Sequence, residues 1–184
     1  MNKIYIFLAP GFEEIEALGA VDVFRRAGLP VQTVSVTDTL LVEGSHHVNI
    51  EADLLFDEIN PNDATLLYLP GGMPGAANLQ AHQGLASLIR SHYAAGRPLA
   101  AICAAPMVYG KMGLLNGLNA TCYPGFEEYL QGARPTGELV VCDGQFFFGK
   151  GPAAVFDLAF TIVARFCGQA KADAVRQGML FHEL

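Results

Sequence analysis

Residues 99–106 read LAAICAAP, and this stretch decides the fold. Pro98–Ile102 predicts a short strand that is buried on both faces, as strands of parallel sheets are. The pattern Ala104–Met112 that follows it predicts a helix. Cys103 therefore lies where a buried strand turns sharply into a helix. The small residues on either side permit the tight turn that projects a nucleophile out of an α/β sheet.

Strand and helix patterns alternate outward from this stretch in both directions. The predicted strands and hairpins are Lys3–Leu8, Val31–Val36, Leu41–Ile50, Thr65–Leu69 and a hairpin that turns at Asp143-Gly144. The predicted helices are Glu13–Ala27, Gln83–Ala95, Ala104–Met112, one that starts near Pro152 and a short one from Ala170. Helices between strands imply crossover connections. The chain is therefore predicted to form one α/β domain over residues 1–184, with a doubly wound, mainly parallel sheet covered by helices on both faces.

The composition describes an acidic and rather apolar chain. Of its 184 residues, 52% are hydrophobic and 16% are charged. No apolar run approaches the ~20 residues that span a bilayer, so we expect no membrane association. The net charge of −7 and the pI near 5.1 argue against nucleic acid as a principal partner, because phosphate binding needs a concentrated cationic surface.

Cysteine and histidine spacing predicts neither a disulfide framework nor a metal site. The four cysteines are widely separated and form no Cys-x-x-Cys pair. Without an export signal, this pattern predicts reduced thiols in a cytoplasmic protein. The adjacent His46 and His47 would point to opposite faces of a strand, and we interpret them as surface residues of a hairpin. We therefore expect no metal and no cofactor.

Three segments with reactive or flexible residues converge at one edge of the predicted sheet. Residues 10–16 follow the first strand, residues 70–75 follow the Thr65–Leu69 strand, and Cys103 follows the next one. Ligands of open parallel sheets bind beyond the carboxyl ends of the strands. The sequence therefore predicts a site at this edge.

Cys103 is the candidate nucleophile of the predicted site. A thiol at a helix N-terminus feels the positive end of the helix dipole, which predicts a lowered thiol pKa. The alternative interpretation is an inert cysteine that only packs in the core.

The acidic cluster Glu13, Glu14 and Glu16 is the candidate source of a carboxyl group. A member buried against Cys103 would have a raised pKa and stay protonated. Alternatively, three acids in a first helical turn only complement the helix dipole, and spacing does not choose among them. Gly71-Gly72 also has two interpretations. It is either a flexible loop or a pair of backbone donors that form an oxyanion hole.

Five motifs, in order along the chain, resemble the ThiJ/PfpI superfamily in the branch of the parkinsonism-associated protein deglycase. They are residues 9–16 (APGFEEIE), 21–28 (VDVFRRAG), 69–72 (LPGG), 100–106 (AAICAAP) and 149–152 (GKGP). The resemblance extends over nearly the whole chain. It implies a flavodoxin-like fold and, as is usual in the family, a homodimer.

The resemblance also implies roles for individual residues. The family's nucleophilic, easily oxidised cysteine maps to Cys103, and its glutamate maps to Glu16. The backbone oxyanion donors map to Gly72 and Ala104, and Arg26 matches a family arginine expected at the dimer interface. Activities described for the family are glutathione-independent glyoxalase action, deglycation of protein or nucleotide adducts, chaperone action and oxidative sensing.

Two positions depart from the family pattern. Peptidase-type relatives carry a histidine immediately after the cysteine, and this chain has Ala104 there, so proteolysis is not expected. In the deglycase branch a histidine near the cysteine precedes a proline, and Tyr123 holds that position here. A tyrosine with a pKa near ~10 is a poor base at neutral pH, although it can serve as an auxiliary hydrogen-bonding residue. We interpret the neighbouring Cys122 as a buried strand residue rather than a second reactive thiol.

These residues predict two functions from different classes. The first is an enzyme that acts on small reactive dicarbonyls or their adducts, with Cys103 as nucleophile, Gly72 as oxyanion donor and Glu16 as proton shuttle. The alternative is a non-enzymatic sensor of oxidative stress or a chaperone, in which Cys103 oxidises to a sulfinic acid that Glu16 holds. The enzyme hypothesis makes a small carbonyl compound the expected partner besides a second copy of the chain.

Overall fold

The computed structural model describes residues 3–181, which form a seven-stranded sheet, two small two-stranded sheets and surrounding helices. The strands are β1 (Lys3–Leu8), β2 (Val31–Ser35), β3 (Leu41–Glu43), β4 (Asn49–Glu51), β5 (Leu54–Leu55), β6 (Ala64–Leu69), β7 (Leu99–Ile102), β8 (Asn119–Ala120), β9 (Arg134–Pro135), β10 (Val140–Asp143) and β11 (Phe146–Gly149). The α-helices are α1 (Glu14–Arg26), α2 (Gly75–Ala81), α3 (Gln83–Ala94), α4 (Pro106–Lys111), α5 (Val155–Cys167) and α6 (Gln169–Gly178). Short 3-10 helices cover Phe56–Glu58, Pro61–Asp63, Glu127–Tyr129 and Pro152–Ala154.

The main sheet has the strand order β10-β11-β7-β6-β1-β2-β5. All its neighbouring pairs are parallel except β10 and β11, which form the antiparallel hairpin predicted at Asp143-Gly144. Because helices connect most of the parallel strands, the predicted flavodoxin-like α/β fold is confirmed. The carboxyl ends of β1, β6 and β7 lie side by side at one edge, which brings the three predicted segments together.

The two faces of the sheet pack into separate core layers, as the side-chain alternation of β1 illustrates. Ile4, Ile6 and Leu8 lie in one layer, which α1 and α5 cover. Tyr5 and Phe7 lie in the other, which α3 and α4 cover. All five side chains are buried, which explains why this strand reads as a continuous apolar run.

Two helices differ from the sequence-based prediction. Helix α4 begins at Pro106 rather than at Ala104, because Cys103 has the left-handed φ of 62° and a non-helical turn intervenes. Helix α2 was not predicted, since its only strongly apolar residue is Leu79. No helix within residues 3–181 combines the length and the apolar run that crossing a membrane requires.

Candidate active site at the carboxyl edge of the sheet

Cys103 sits in a strained elbow directly after β7. Its φ of 62° is unfavourable for a side chain with a Cβ, and such strain persists only where the surrounding structure fixes the backbone. The Cys103 N–H donates to the carbonyl of Gly149 at 2.9 Å, and its carbonyl accepts from the N–H of Tyr123 at 2.8 Å. The elbow is therefore fixed from two sides, by the end of β11 and by the loop after β8.

Glu16 is fully buried in the first turn of α1, although it is acidic. Its Oε2 accepts a hydrogen bond from the Gly71 N–H at 2.7 Å, and its main-chain carbonyl accepts one from the Tyr68 hydroxyl at 3.1 Å. Its other carboxyl oxygen, Oε1, is buried and accepts no hydrogen bond from any nitrogen or hydroxyl group within residues 3–181. That oxygen is therefore a buried acceptor without a hydrogen-bond partner among the described residues.

The Cys103 thiol and the Glu16 carboxyl group lie side by side next to Gly71, and each changes the pKa of the other. Burial raises the pKa of Glu16 to about 7, against the hydrogen bonds from Gly71 and Cys103 that lower it. Burial and the negative charge of Glu16 raise the pKa of the Cys103 thiol well above its ordinary value. Near neutral pH the Glu16 carboxyl group therefore titrates while the Cys103 thiol keeps its proton.

The raised pKa corrects the sequence-based expectation of a lowered thiol pKa. The helix dipole acts only over the first turn, and α4 starts three residues after Cys103. Burial and an adjacent carboxylate outweigh it. When Glu16 holds the proton, however, its charge vanishes, and the N–H groups of Gly72 and Ala104 then act against the effect of burial.

Gly72 and Ala104 direct their backbone N–H groups at the Cys103 sulfur. The Gly71-Gly72 loop requires glycine because neighbouring atoms lie too close to its backbone for a Cβ, and also because of its backbone conformation. A Cβ on Gly71 would lie 2.7 Å from both the Cys103 Cβ and Glu16 Oε2, and one on Gly72, whose φ is +82°, would lie 2.5 Å from the Glu13 nitrogen. The structure thus brings Cys103, Glu16, Gly72 and Ala104 together, while their catalytic roles stay predictions.

Tyr123 and Cys122 contribute less to this arrangement. The Tyr123 side chain is 47% exposed, and its hydroxyl makes no hydrogen bond within residues 3–181. Its contribution to the elbow is the backbone N–H. Cys122 is buried as expected, but in the loop after β8 rather than in a strand, and it packs in the core layer opposite to that of Cys103. Burial raises its thiol pKa to about 11.

Sequence reasoning missed the contacts of the two histidines. His46 lies in the turn between β3 and β4, where its Nδ1 is 2.9 Å from Glu14 Oε2. Burial acts to raise the pKa of Glu14, but hydrogen bonds from the His46 ring and backbone outweigh it and lower the pKa to about 2. His47 pairs separately with Glu43. His46 is 32 positions from Glu14 along the chain, so no local pattern could have joined the two residues.

A mainly parallel sheet with a strained cysteine elbow beside a buried carboxyl group defines a class of α/β proteins with a candidate nucleophilic thiol. The chain belongs to the DJ-1/PfpI family, whose family model matches residues 2–165. The resemblance inferred from the five sequence motifs is therefore confirmed.

Individual relatives agree with this assignment. Protein DJ-1 homolog B of Arabidopsis thaliana is 36% identical over 95% of this chain, which spans only 40% of that protein's length. A protein of Pyrococcus horikoshii named as a deglycase is 28% identical over 84% of this chain and 93% of its own. The crystal structure of Drosophila melanogaster DJ-1beta superposes with a TM-score of 0.93 at 31% identity, covering 99% of both chains.

Proposed function

We propose that the protein is a cysteine-dependent enzyme that converts small reactive dicarbonyls, such as methylglyoxal, to hydroxy acids without glutathione. The observation that carries the proposal is the contact between the Cys103 thiol and the buried Glu16 carboxyl group at the carboxyl edge of the sheet. The deglycase name of an archaeal relative supports the same class of carbonyl chemistry.

The first step moves the proton of the Cys103 thiol to Glu16. Glu16, as carboxylate, takes the proton of the Cys103 thiol while the sulfur adds to the aldehyde carbon. The C=O bond becomes a C–O⁻ group, which the N–H groups of Gly72 and Ala104 stabilise. The proton then passes from Glu16 to this oxygen, so that a hemithioacetal forms and Glu16 is again a carboxylate.

The second step moves a proton between the two carbons of the adduct. Glu16 removes the proton from the carbon bonded to sulfur, giving an enediolate. The hydroxyl proton of that carbon shifts to the neighbouring oxygen, and Glu16 returns its proton to the adjacent carbon. The product is a thioester of Cys103 with a 2-hydroxy acid. Water then cleaves the thioester, which releases the acid and restores the thiol. Methylglyoxal and one water thus give lactic acid, and no external oxidant or reductant takes part.

The raised thiol pKa favours this enzyme over the sensor hypothesis. A protonated, nearly buried thiol reacts slowly with peroxide on its own, because the thiolate is the nucleophile. It gains reactivity when a bound substrate is attacked while Glu16 accepts the proton. Cys142 and Cys167 are exposed and are the more accessible thiols.

The test compares lactate formation from methylglyoxal by freshly reduced wild type, Cys103→Ser and the control Cys142→Ser. We expect turnover in the wild type and the control and a loss of at least about 1,000-fold in Cys103→Ser. A folded wild type without turnover would overturn the proposed activity. Equal turnover in Cys103→Ser would overturn the role of the thiol.

We further propose that the enzyme acts as a homodimer in the reducing cytoplasm. Helix α1 exposes Ile15 and Leu18, and the β3–β4 turn exposes Val48, so apolar side chains are available for a second copy. All four cysteines are free thiols. Sedimentation of the reduced protein at twice the monomer mass would support the dimer, and a monomer at micromolar concentration would contradict it.

A further inference from the structure

A pocket of about 230 Å³ lies between the loop after β8 and the segment that joins β11 to α5, and the proposed mechanism does not use it. We call it the side pocket. The residues that shape it are Tyr123, Leu139, Lys150, Pro152, Ala153 and Ala154.

The walls of the side pocket adjoin the cysteine elbow. The Tyr123 N–H donates to the Cys103 carbonyl at 2.8 Å, and Gly149, which accepts from the Cys103 N–H at 2.9 Å, directly precedes Lys150. The sulfur is four bonds from the Cys103 carbonyl oxygen, at most about 5 Å, so the thiol lies within about 8 Å of the Tyr123 nitrogen. A small substrate held by Cys103 therefore reaches the pocket.

The lining of the side pocket is apolar. Tyr123 and Leu139 are each 47% exposed, and both large side chains belong to this pocket. Lys150 is its charged residue, but Lys150 Nζ donates to the Gly137 carbonyl at 2.8 Å, so the methylene groups of this side chain line the pocket. Exposed apolar side chains gathered in one concave surface are typical of a binding site for a hydrocarbon group.

Backbone hydrogen bonds hold the walls in place without a ligand. The Lys150 N–H donates to the Leu139 carbonyl at 3.0 Å, and the Ala154 N–H donates to the Gly151 carbonyl at 2.8 Å. A Cβ on Gly151 would lie 3.3 Å from Tyr123 Cδ2, so the tyrosine ring packs closely against this loop. The pocket is therefore preformed.

The size of the side pocket fits one ring. A cavity of about 150 Å³ lined by apolar side chains holds a benzene molecule. A phenyl ring attached to a dicarbonyl extends about 5 Å from the aldehyde carbon that the sulfur attacks. Methylglyoxal carries only a methyl group and leaves most of the pocket empty. A peptide segment would place amide groups against an apolar wall that cannot pair with them.

We propose that the side pocket binds an aromatic or branched aliphatic group attached to the dicarbonyl, so that the protein selects bulky 2-oxoaldehydes over methylglyoxal. This inference rests on the proposed function, because it names the substrate class of the same thiol. Phenylglyoxal and one water give mandelic acid by the steps derived above, with no oxidant or reductant. Leu139 and Ala153 then determine specificity without touching the reacting carbons.

Initial rates with phenylglyoxal and with methylglyoxal test the pocket in the reduced full-length protein. The quantity compared among variants is the ratio of the two kcat/KM values, because the intrinsic reactivities of the two substrates cancel in that comparison. Ala153 is exposed at the rim, and Ala153→Leu fills the pocket. This variant should lower the ratio at least tenfold, since it excludes a ring but not a methyl group. Leu139→Asn keeps the side-chain size but makes the wall polar, and it should lower the ratio about fivefold.

Leu180 supplies the matched control, because it is an exposed leucine outside the side pocket. Its φ of 58° suits asparagine, so Leu180→Asn makes the same exchange as Leu139→Asn without backbone strain. The control should leave the ratio unchanged. An unchanged ratio in Ala153→Leu, or an equal fall in Leu180→Asn, would overturn the proposal.

Binding of mandelate, observed through the ligand's NMR signals, separates this proposal from the proposed function. We expect mandelate to bind the wild type with a Kd of a few millimolar, about tenfold tighter than it binds Ala153→Leu. If mandelate shows this difference but neither substrate is turned over, the proposed function is overturned and the pocket's selectivity for a ring is supported. If both substrates are turned over but mandelate binds both proteins equally, the side pocket is overturned. Thermal unfolding verifies that each variant is folded.

Discussion

The two ends of β7 carry buried titratable groups in opposite circumstances. At the carboxyl end, Cys103 has a left-handed backbone and contacts Glu16, whose Oε1 accepts no hydrogen bond from nitrogen or hydroxyl groups within residues 3–181. At the amino end, the buried His92 ring hydrogen-bonds through Nε2 to the Pro98 carbonyl at 2.9 Å. Burial raises the pKa of Glu16 to about 7 and lowers that of His92 to about 4.

Burial therefore disfavours the charged form at both ends of β7, yet only the carboxyl end has the features of a reactive site. His92 stays neutral at physiological pH and supports the strand through a single hydrogen bond. Glu16 changes charge near neutral pH, beside a thiol that faces the backbone N–H groups of Gly72 and Ala104. A perturbed pKa marks a candidate site when it is joined to strain and an unsatisfied polar atom, not when it stands alone.

The largest expected effect comes from adding one methyl group at the carboxyl end. In Gly71→Ala the new Cβ meets Cys103, Glu16 and the Ile102 carbonyl at 2.7–2.9 Å. We expect a loss of about 3 kcal/mol or more in the free energy of unfolding, together with loss of turnover. Gly96→Ala, before the amino end, adds its methyl to open space and should cost about 1 kcal/mol for its positive φ. Chemical denaturation measures the free energy of unfolding of both variants. Equal losses in the two would contradict the difference between the two ends of β7.

The next largest expected effect is the contribution of His92 to the pH dependence of the free energy of unfolding. Its folded-state pKa is below the unfolded value of 6.5, so the unfolded chain binds the proton first and stability falls as the pH drops from about 6.5 to about 4. The full difference is about 3 kcal/mol, from about 1.4 kcal/mol per pKa unit. The raised pKa of Glu16 acts in the opposite direction, favouring the folded state at lower pH.

Because the two groups oppose each other, the measurement must compare variants. His92→Gln retains an amide that can donate to Pro98 but does not titrate. The unfolding free energy of wild type minus that of His92→Gln should therefore decrease as pH falls over this interval. A pH-independent difference would show that His92 is not held neutral by burial.

The smallest effect is expected at Tyr123, at the rim of the carboxyl end. Because its hydroxyl has no hydrogen-bond partner within residues 3–181, Tyr123→Phe should change kcat/KM for methylglyoxal by less than about threefold and leave stability unchanged. Initial rates at several substrate concentrations test this. A loss of about 100-fold would instead assign the phenol a role in proton transfer.

The sequence predicted the fold through elements whose local patterns are strong. The continuous apolar runs of β1 and β7 and the helical face of α5 follow from periodicity, and the Asp143-Gly144 hairpin follows from turn chemistry. Helix α2 was missed because seven residues with a single large apolar side chain carry no measurable period.

The site was less predictable because its chemistry depends on burial and on contacts between residues that are far apart in the sequence. Spacing alone did not distinguish Glu16 from Glu13 and Glu14; the family resemblance did. The helix dipole predicted a lowered pKa for Cys103, but burial, which local sequence does not report, reversed the direction. The contact of His46 with the start of α1 depends on how the β3–β4 hairpin folds back onto the sheet edge.

The measurement that tests the central claim most directly is the kcat/KM of Glu16→Gln for methylglyoxal. Gln has the same shape and keeps an oxygen to accept from Gly71, so the variant removes the movable proton with little other change. If the Cys103–Glu16 pair carries the reaction, kcat/KM should fall by about 100- to 10,000-fold in a protein that unfolds at nearly the wild-type temperature. Full turnover in this variant would contradict the account, because no other carboxyl group within residues 3–181 contacts the thiol.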